Sequence, residues 1–226
     1  MTKRIEKQLK NFKYENQPLK FNLGVLILIG LCSFLIVIAT FTQFDFNHYI
    51  IPLDAFSYLG ADFKNPAILE HFIKHYRYIP QIPAIMFIVA LLGRRFGIAS
   101  VLIYILVGLF LAPVFALGGG LEYVFQYGFG YILAYIPAVF FAGSILKSGL
   151  SYRNIAHATL IGVITIHVVG ILYFLFIATL QRENSSFILG WIKAQSVEKI
   201  MYDLLFGFLA MVVAKYTKKA LWVAIG

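Results

Sequence analysis

Charge and cysteine are both scarce in this sequence. Charged residues make up 13% of the 226 residues, about half the share that soluble globular proteins carry. Apolar residues make up 61%, and the mean hydropathy is +0.83. A water-soluble domain is therefore excluded, and a membrane protein is indicated. The single cysteine, Cys32, lies within the first apolar run, which excludes an intrachain disulfide and a cysteine-based metal site.

The sequence also lacks the motifs of several enzyme classes. It contains no HExxH or GxSxG pattern and no GxxxxGK[ST] loop for ATP hydrolysis. Asp203 is the only aspartate deep in an apolar run, whereas an intramembrane aspartyl protease needs a pair. We therefore expect neither an enzyme nor a bound cofactor or metal ion.

The sequence contains six apolar runs, each near or a little below the roughly 20 residues that a bilayer-spanning helix needs, and basic residues concentrate at alternate connections between them. The runs are Leu23–Thr42, Ile79–Leu92, Gly97–Ala116, Gly130–Leu146, Ile155–Leu180 and Ile200–Tyr216. This pattern predicts an all-α membrane protein with six transmembrane helices in a lipid bilayer.

The net charge of +9 is spread over the segments beside these runs. Membrane topology explains that spread better than nucleic acid does, so nucleic acid is not a predicted partner. The positive-inside rule places the basic segments, and hence both termini, in the cytoplasm. The basic residues concerned are Lys3, Arg4, Lys7, Lys10, Lys13, Lys20, Arg94, Arg95, Lys147, Arg153, Lys215, Lys218 and Lys219.

The runs predict one transmembrane domain with two tails. Residues 1–22 form a basic cytoplasmic tail that lies on anionic lipid, residues 23–219 form the domain, and residues 220–226 form a C-terminal tail. The first outer connection, residues 43–78, is unusually long and predicts a short amphipathic helix near Pro66–His75. That helix is either a lid over a pocket or a plain surface helix.

A glycine-rich loop follows the third apolar run. Non-helical backbone at a membrane is tolerated only where protein or a water-filled cavity receives it. The loop therefore predicts a binding site at the membrane surface, and the alternative is a flexible turn between two helices. Its residues are Gly118, Gly119, Gly120, Glu122, Tyr123, Gln126 and Tyr127.

Two ionisable residues stand out inside the apolar runs. Asp203 is about one turn inside the last run, where a carboxylate is costly unless it faces a cavity or a partner. Its alternative role is that of a helix-start acid that pairs with Lys199. His167, near the middle of the fifth run, either lines a cavity or forms a hydrogen bond between helices.

The stretch from Leu91 to Tyr131 contains residues in a fixed order that resembles the BioY family. These residues are Leu91, Leu92, Gly93, Arg95, Gly97, Tyr104, Gly108, Pro113, Val114, Phe115, Ala116, Gly118, Gly119, Gly120, Leu121, Gly130 and Tyr131. The family comprises the biotin-specific substrate-binding (S) components of energy-coupling-factor (ECF) transporters. The resemblance extends to Gln81 in the second run, Gly170 in the fifth and Asp203 in the sixth.

The resemblance implies an S-component bundle in the bacterial cytoplasmic (inner) membrane that binds biotin for uptake. It also implies an ECF transmembrane coupling subunit and ATP-binding cassette ATPase subunits as partners. Two alternatives stay open: an S component for another small vitamin or a biotin precursor, and a membrane scaffold that transports nothing.

The resemblance and the chemistry of biotin together indicate a set of site residues. Biotin has a ureido ring, an apolar chain and a carboxylate, so its site needs apolar walls, groups that hydrogen-bond the urea, and a cation or backbone donors. An amide and a carboxylate are expected on the urea, aromatic rings as walls, and glycine amides close to the ligand. The expected residues are Gln81, Phe115, Gly118, Gly119, Gly120, Tyr123, Tyr131, Lys199 and Asp203.

The cation for the ligand carboxylate is the least determined part of this site. Phe206 stands three residues after Asp203, where the family pattern has a lysine. Lys199 lies one helical turn before Asp203 and is expected to supply the charge instead, with Arg77 as a second outer-side candidate.

Overall fold

The computed structural model describes residues 21–49, 68 and 72–225. Within these residues the chain is mostly helical, and one antiparallel pair of strands lies between the first two helices. The elements are α1 (Leu23–Phe41), β1 (Phe44–Tyr49), β2 (Ile73–Tyr78), α2 (Gln81–Phe110), α3 (Phe129–Leu133), α4 (Tyr135–Ile145), α5 (Tyr152–Leu180), α6 (Ser185–Ile192) and α7 (Ile200–Ile225).

Four segments among the described residues are long and apolar enough to cross a membrane. They are Leu23–Phe41, Gln81–Phe110, Phe129–Ser148 and Tyr152–Leu180. The structure therefore supports a multi-pass membrane protein, while the count of six spans and their orientation stay predictions. The predicted last run is present as α7, which continues to Ile225, past the expected end of the domain at residue 219.

The second and third predicted runs meet inside α2. Gly93 has φ 75° and ψ −177°, values that break the helical path, so α2 consists of two legs on either side of this residue. Arg94 begins the second leg, donates from Nη1 to Oγ of Ser144 at 3.3 Å, and lies over the ring of Phe140 at 4.8 Å. A cation–π contact and a hydrogen bond thus attach this end of α2 to α4.

The strand pair β1–β2, which we call the hairpin, corrects the all-α prediction. β1 and β2 are antiparallel, with Asp45 opposite Arg77, and Nε of Arg77 lies 3.3 Å from Oδ1 of Asp45. Tyr76 and Tyr78 of β2 are buried whereas Arg77 is exposed, the alternation of a half-buried strand. The helix predicted near Pro66–His75 is wrong from Ile73 onwards, and most of the rest lies outside the described residues.

The crossing of α3 and α5 depends on two glycines. A Cβ atom at Gly130 would overlap Cβ of Tyr173, and one at Gly170 would lie 2.6 Å from Cγ of Tyr131. A tyrosine of each helix therefore packs directly on the backbone of the other helix at a glycine. Small residues permit this close approach between membrane helices. This contact holds Tyr131 beside His167, with ring centroids 6.0 Å apart.

We expect Gly170→Ala to destabilise the protein by about 1–3 kcal/mol, because the new methyl group overpacks against the Tyr131 ring. The matched control is Gly30→Ala in α1, where a Cβ atom would meet nothing within 4 Å. Both changes replace a helical glycine by alanine, so the gain in helix propensity is shared. Thermal unfolding in detergent should show a lower melting temperature for Gly170→Ala alone; equal melting temperatures would contradict the packing argument.

Candidate functional site

Asp203 is the buried carboxylate at the centre of the candidate site. It lies in the first turn of α7 and is 2% exposed. The hydroxyl of Tyr78, at the end of β2, donates to its Oδ1 at 2.7 Å. Nε2 of His167, in the middle of α5, lies 3.1 Å from its Oδ2. Both oxygens therefore have partners, as a carboxylate in an apolar helix requires.

The hydrogen bonds continue from His167 to the start of the fourth predicted run. Nδ1 of His167 lies 3.0 Å from Oγ of Ser196, and Ser196 Oγ lies 2.6 Å from the hydroxyl oxygen of Tyr131. Ser196 belongs to a single π-helical turn, Lys193–Val197, of the kind often found at functional sites. We call Tyr78, Asp203, His167, Ser196 and Tyr131 the Asp203 network.

Aromatic rings cover the hairpin side of this network. Phe206 lies 5.9 Å from Phe46 of β1 and 5.3 Å from Tyr78 of β2, measured between ring centroids. Tyr202 stacks on Tyr76 at 4.9 Å. The residue that replaces the family lysine thus packs the hairpin onto α7.

Lys199 lies one helical turn before Asp203, but its ammonium is not one of the two hydrogen-bond partners of the Asp203 carboxylate described above. Its Nζ atom donates to Oε1 of Gln195 at 2.5 Å. Burial lowers the pKa of the Lys199 ammonium, and the negative charges of Asp203 and Glu198 oppose that shift. Since Tyr78 and His167 are the partners of Asp203, the helix-start pairing with Lys199 is not what satisfies the carboxylate.

Gln81 forms a second network at the start of α2. Its Oε1 accepts from the hydroxyl of Tyr135 at 3.1 Å, and its Nε2 donates to Oγ1 of Thr40 at 2.7 Å. Thr40 donates its own hydrogen to the carbonyl of Ile36 at 2.8 Å, so the hydroxyl of Tyr104, 3.1 Å away, donates to Thr40. The amide of Gln81 is therefore held in one orientation.

The glycine loop folds back onto the end of α2. Gly118 and Gly120 have φ values of 119° and 92°, which favour glycine. The N–H groups of Gly118 and Gly120 donate to the carbonyls of Phe115 and Gly108, and a Cβ atom at Gly119 would lie 2.6 Å from the Gly108 oxygen. These glycines form a packed turn, and two of the three amides expected near a ligand already have protein partners.

The two aromatic residues expected beside this turn lie in the protein interior. Phe115 is 0% exposed and lies 4.6 Å from the ring of Tyr123, which is 6% exposed. Gly108 makes room for Phe115, since a Cβ atom there would overlap its ring. Tyr131, by contrast, is half-buried and lies 5.7 Å from the ring of Trp191. Of the expected walls, Tyr131 is the one that joins the Asp203 network.

Sequence reasoning missed several members of this site. Tyr78 and Ser196 were not expected as site residues, and nothing local distinguishes them from other tyrosines and serines of the chain. His167 was recognised, and it forms the interhelical hydrogen bonds that were one of its two expected roles. Arg77 pairs with Asp45 at the exposed surface of the hairpin.

The fold is that of a membrane S component. The structure superposes on a crystal structure of the S-component for biotin from an ECF-type ABC transporter with a TM-score of 0.62, covering 89% of this chain and 95% of that one at 21% sequence identity. That identity establishes the fold alone. The sequence model of the BioY family matches residues 77–222, and the chain therefore belongs to the BioY family. The resemblance found in the sequence is confirmed.

Two curated relatives support this membership. A protein of Lysinibacillus sphaericus, named a probable biotin transporter BioY, is 34% identical over 121 residues, which are 53% of this chain and 59% of the relative. A protein of Pyrococcus horikoshii with the same name is 34% identical over 101 residues, which are 44% of this chain and 57% of the relative. The match thus spans somewhat more than half the length of each relative.

We expect Tyr78→Phe to loosen the hairpin, because it removes the hydrogen bond from β2 to Asp203 and leaves Oδ1 with one donor fewer. Loss of a hydrogen bond to a buried charged group amounts to about 1.5–3 kcal/mol. Hydrogen exchange of the β1 amides in detergent should become faster, whereas Tyr152→Phe, whose exposed hydroxyl bonds Tyr216, should leave them unchanged. Equal exchange in both variants would mean that the aromatic contacts alone hold the hairpin.

Proposed function

We propose that this protein is the biotin-binding S component of an ECF-type transporter and takes part in biotin uptake across the cytoplasmic membrane. The observation that carries the proposal is the Asp203 network. A buried carboxylate with positioned hydroxyl and imidazole partners lies at one end of an apolar bundle whose family is BioY. Polar groups of this kind inside a membrane protein are costly and usually functional.

The two legs of α2 support six spans, because the break at Gly93 turns one long helix into two. Charge supports cytoplasmic termini. The end of the bundle that carries the hairpin holds all the acidic side chains of the described residues, which are Asp45, Glu122, Glu183, Glu198 and Asp203. The opposite end carries seven basic residues, Arg94, Arg95, Lys147, Arg153, Lys215, Lys218 and Lys219, against five at the hairpin end, Lys74, Arg77, Arg182, Lys193 and Lys199. The positive-inside rule assigns that second end to the cytoplasm and the Asp203 network to the outer side.

The ureido ring of biotin suits the groups that the two networks present. A urea has two N–H donors and one carbonyl acceptor, and a site that hydrogen-bonds both kinds needs fixed acceptors and at least one donor. Tyrosine hydroxyls and the Gln81 amide are held in place by their neighbours. Lys199, one helical turn before Asp203, is the proposed partner of the ligand carboxylate, with the glycine loop and Phe115 behind the site.

Transport would require partners that this chain does not contain. It has no phosphate-binding loop, so energy from ATP would come from cassette ATPase subunits through a transmembrane coupling subunit. The family is one of transporter components, and we propose no catalysis by this chain. An S component for another vitamin or a biotin precursor is the second candidate, favoured by Phe206 in place of the family lysine and by its role in packing the hairpin.

Calorimetry with detergent-purified protein should show saturable biotin binding. We expect Asp203→Asn to weaken it by about 10-fold or more, because the amide cannot accept from both Tyr78 and His167 as the carboxylate does. The matched control is Asp45→Asn, which alters an exposed carboxylate on the hairpin and should leave the affinity within about two-fold.

If folded wild-type protein does not bind biotin, the assignment of biotin as the ligand is wrong. If other vitamins or biotin precursors then protected the protein against heat, the second candidate would take its place. If no small ligand did so, the scaffold alternative would be favoured.

A further inference from the structure

The direction of the hydrogen bonds in the Asp203 network can be worked out from the residues themselves. A carboxylate only accepts, so Nε2 of His167 carries the hydrogen that points to Asp203. With a neutral imidazole, Nδ1 is then an acceptor, and Ser196 must donate its single hydrogen to it. The remaining contact of Ser196 is with Tyr131, 2.6 Å away, and Tyr131 must therefore donate. All hydroxyl hydrogens point toward Asp203.

We propose that this chain makes the Tyr131 hydroxyl oxygen a hydrogen-bond acceptor for an N–H group of a cyclic urea, and that His167 and Ser196 are positioning residues that set this polarity. The proposal rests on the proposed function, in which the ligand is biotin. It adds to that function that recognition of a ureido N–H depends on His167 and Ser196, two residues that do not contact the ligand.

Three observations support it. The Tyr131 ring is held between Gly170 and Trp191, so its hydroxyl has little freedom to turn away from Ser196. His167 and Ser196 are 3% and 4% exposed, so water does not compete for their hydrogen bonds. Tyr131 itself is half-buried, and its oxygen keeps a lone pair for a donor from outside the network.

Cooperativity strengthens the effect. A hydroxyl that donates into a chain ending at a carboxylate is polarised, and its oxygen becomes a better acceptor. A ligand N–H is therefore favoured at Tyr131, and a ligand carbonyl, which would need a donor there, is disfavoured. A doubly protonated imidazole would reverse the chain, because Nδ1 would donate to Ser196 and Tyr131 would be released to donate to the ligand.

The test compares biotin with its two mono-N-methylated analogues, in each of which one ureido hydrogen is replaced. The measured quantity is the ratio of the Kd of the methylated ligand to that of biotin, which removes any general loss of affinity from the comparison. For one of the two analogues we expect a ratio of about 10 or more in the wild-type protein, partly from the lost hydrogen bond, which alone accounts for about five-fold.

Two variants remove either the acceptor oxygen or the partner that fixes its polarity. Tyr131→Phe deletes the oxygen, and Ser196→Ala leaves the Tyr131 hydrogen without its partner; both should lower the ratio by about five-fold. His167→Gln should keep the wild-type ratio, because a glutamine amide can donate to Asp203 and accept from Ser196 but cannot carry the second proton of an imidazolium. The matched control is Thr159→Val, which removes a buried hydroxyl on α5 that is bonded to Ile155 and Met211; it should leave the ratio unchanged.

The outcomes separate the two proposals. If wild-type protein does not bind biotin, the proposed function fails and this inference fails with it. If biotin binds but Tyr131→Phe and Ser196→Ala keep the wild-type ratio, only the inference is overturned. Any change of the ratio in His167→Gln would also overturn it: a rise would mean that the wild-type imidazole is doubly protonated and Tyr131 donates to the ligand, and a fall would mean that the donor and acceptor atoms of residue 167 do not set the polarity. If Ser196→Ala does not fold, Tyr131→Phe and His167→Gln decide the question.

Discussion

The burial of one carboxylate is the constraint on which the hairpin end of this protein depends. Asp203 lies in an apolar helix where water does not solvate it, so the fold must supply donors. It does so from two elements distant in sequence, the hairpin through Tyr78 and α5 through His167. The hairpin and α5 are thereby connected to α7 through the Asp203 carboxylate. The aromatic rings of Phe46, Tyr76 and Phe206 add packing between the hairpin and α7.

Close helix packing turns that constraint into a site. The glycines at the crossing of α3 and α5 let the tyrosines of each helix approach the other backbone, which brings Tyr131 to Ser196. A second glycine contact, Gly119 on Gly108, fixes the turn behind Phe115. The glycines thus set the distance between neighbouring helices, and that distance brings the polar side chains close enough to form hydrogen bonds. This division explains why a membrane protein with so little charge can hold a defined polar network.

Much of the fold and part of the site can be predicted from the linear chain. Composition and run length indicate the membrane class, and the order of residues from Leu91 to Tyr131 indicates the family that the comparison confirms. Asp203 stands out because a carboxylate is rare in such a helix. The strands were missed because each is only six residues long and its partner lies across a connection of more than twenty residues. The partners of Asp203 were missed because hydrogen bonding between residues 36 or 125 positions apart leaves no local pattern.

The sequence by itself determined that this chain enters a membrane, where most of its long helices begin, and which family it belongs to, because hydropathy and motif order are properties of the linear chain. Only the tertiary structure decided that Lys199 does not satisfy Asp203, that the glycine amides are largely used inside the turn, and that Tyr78, His167 and Ser196 join Tyr131 in one network. Those outcomes depend on which side chains meet at close range, and distance and hydrogen-bond direction exist only once the helices have packed.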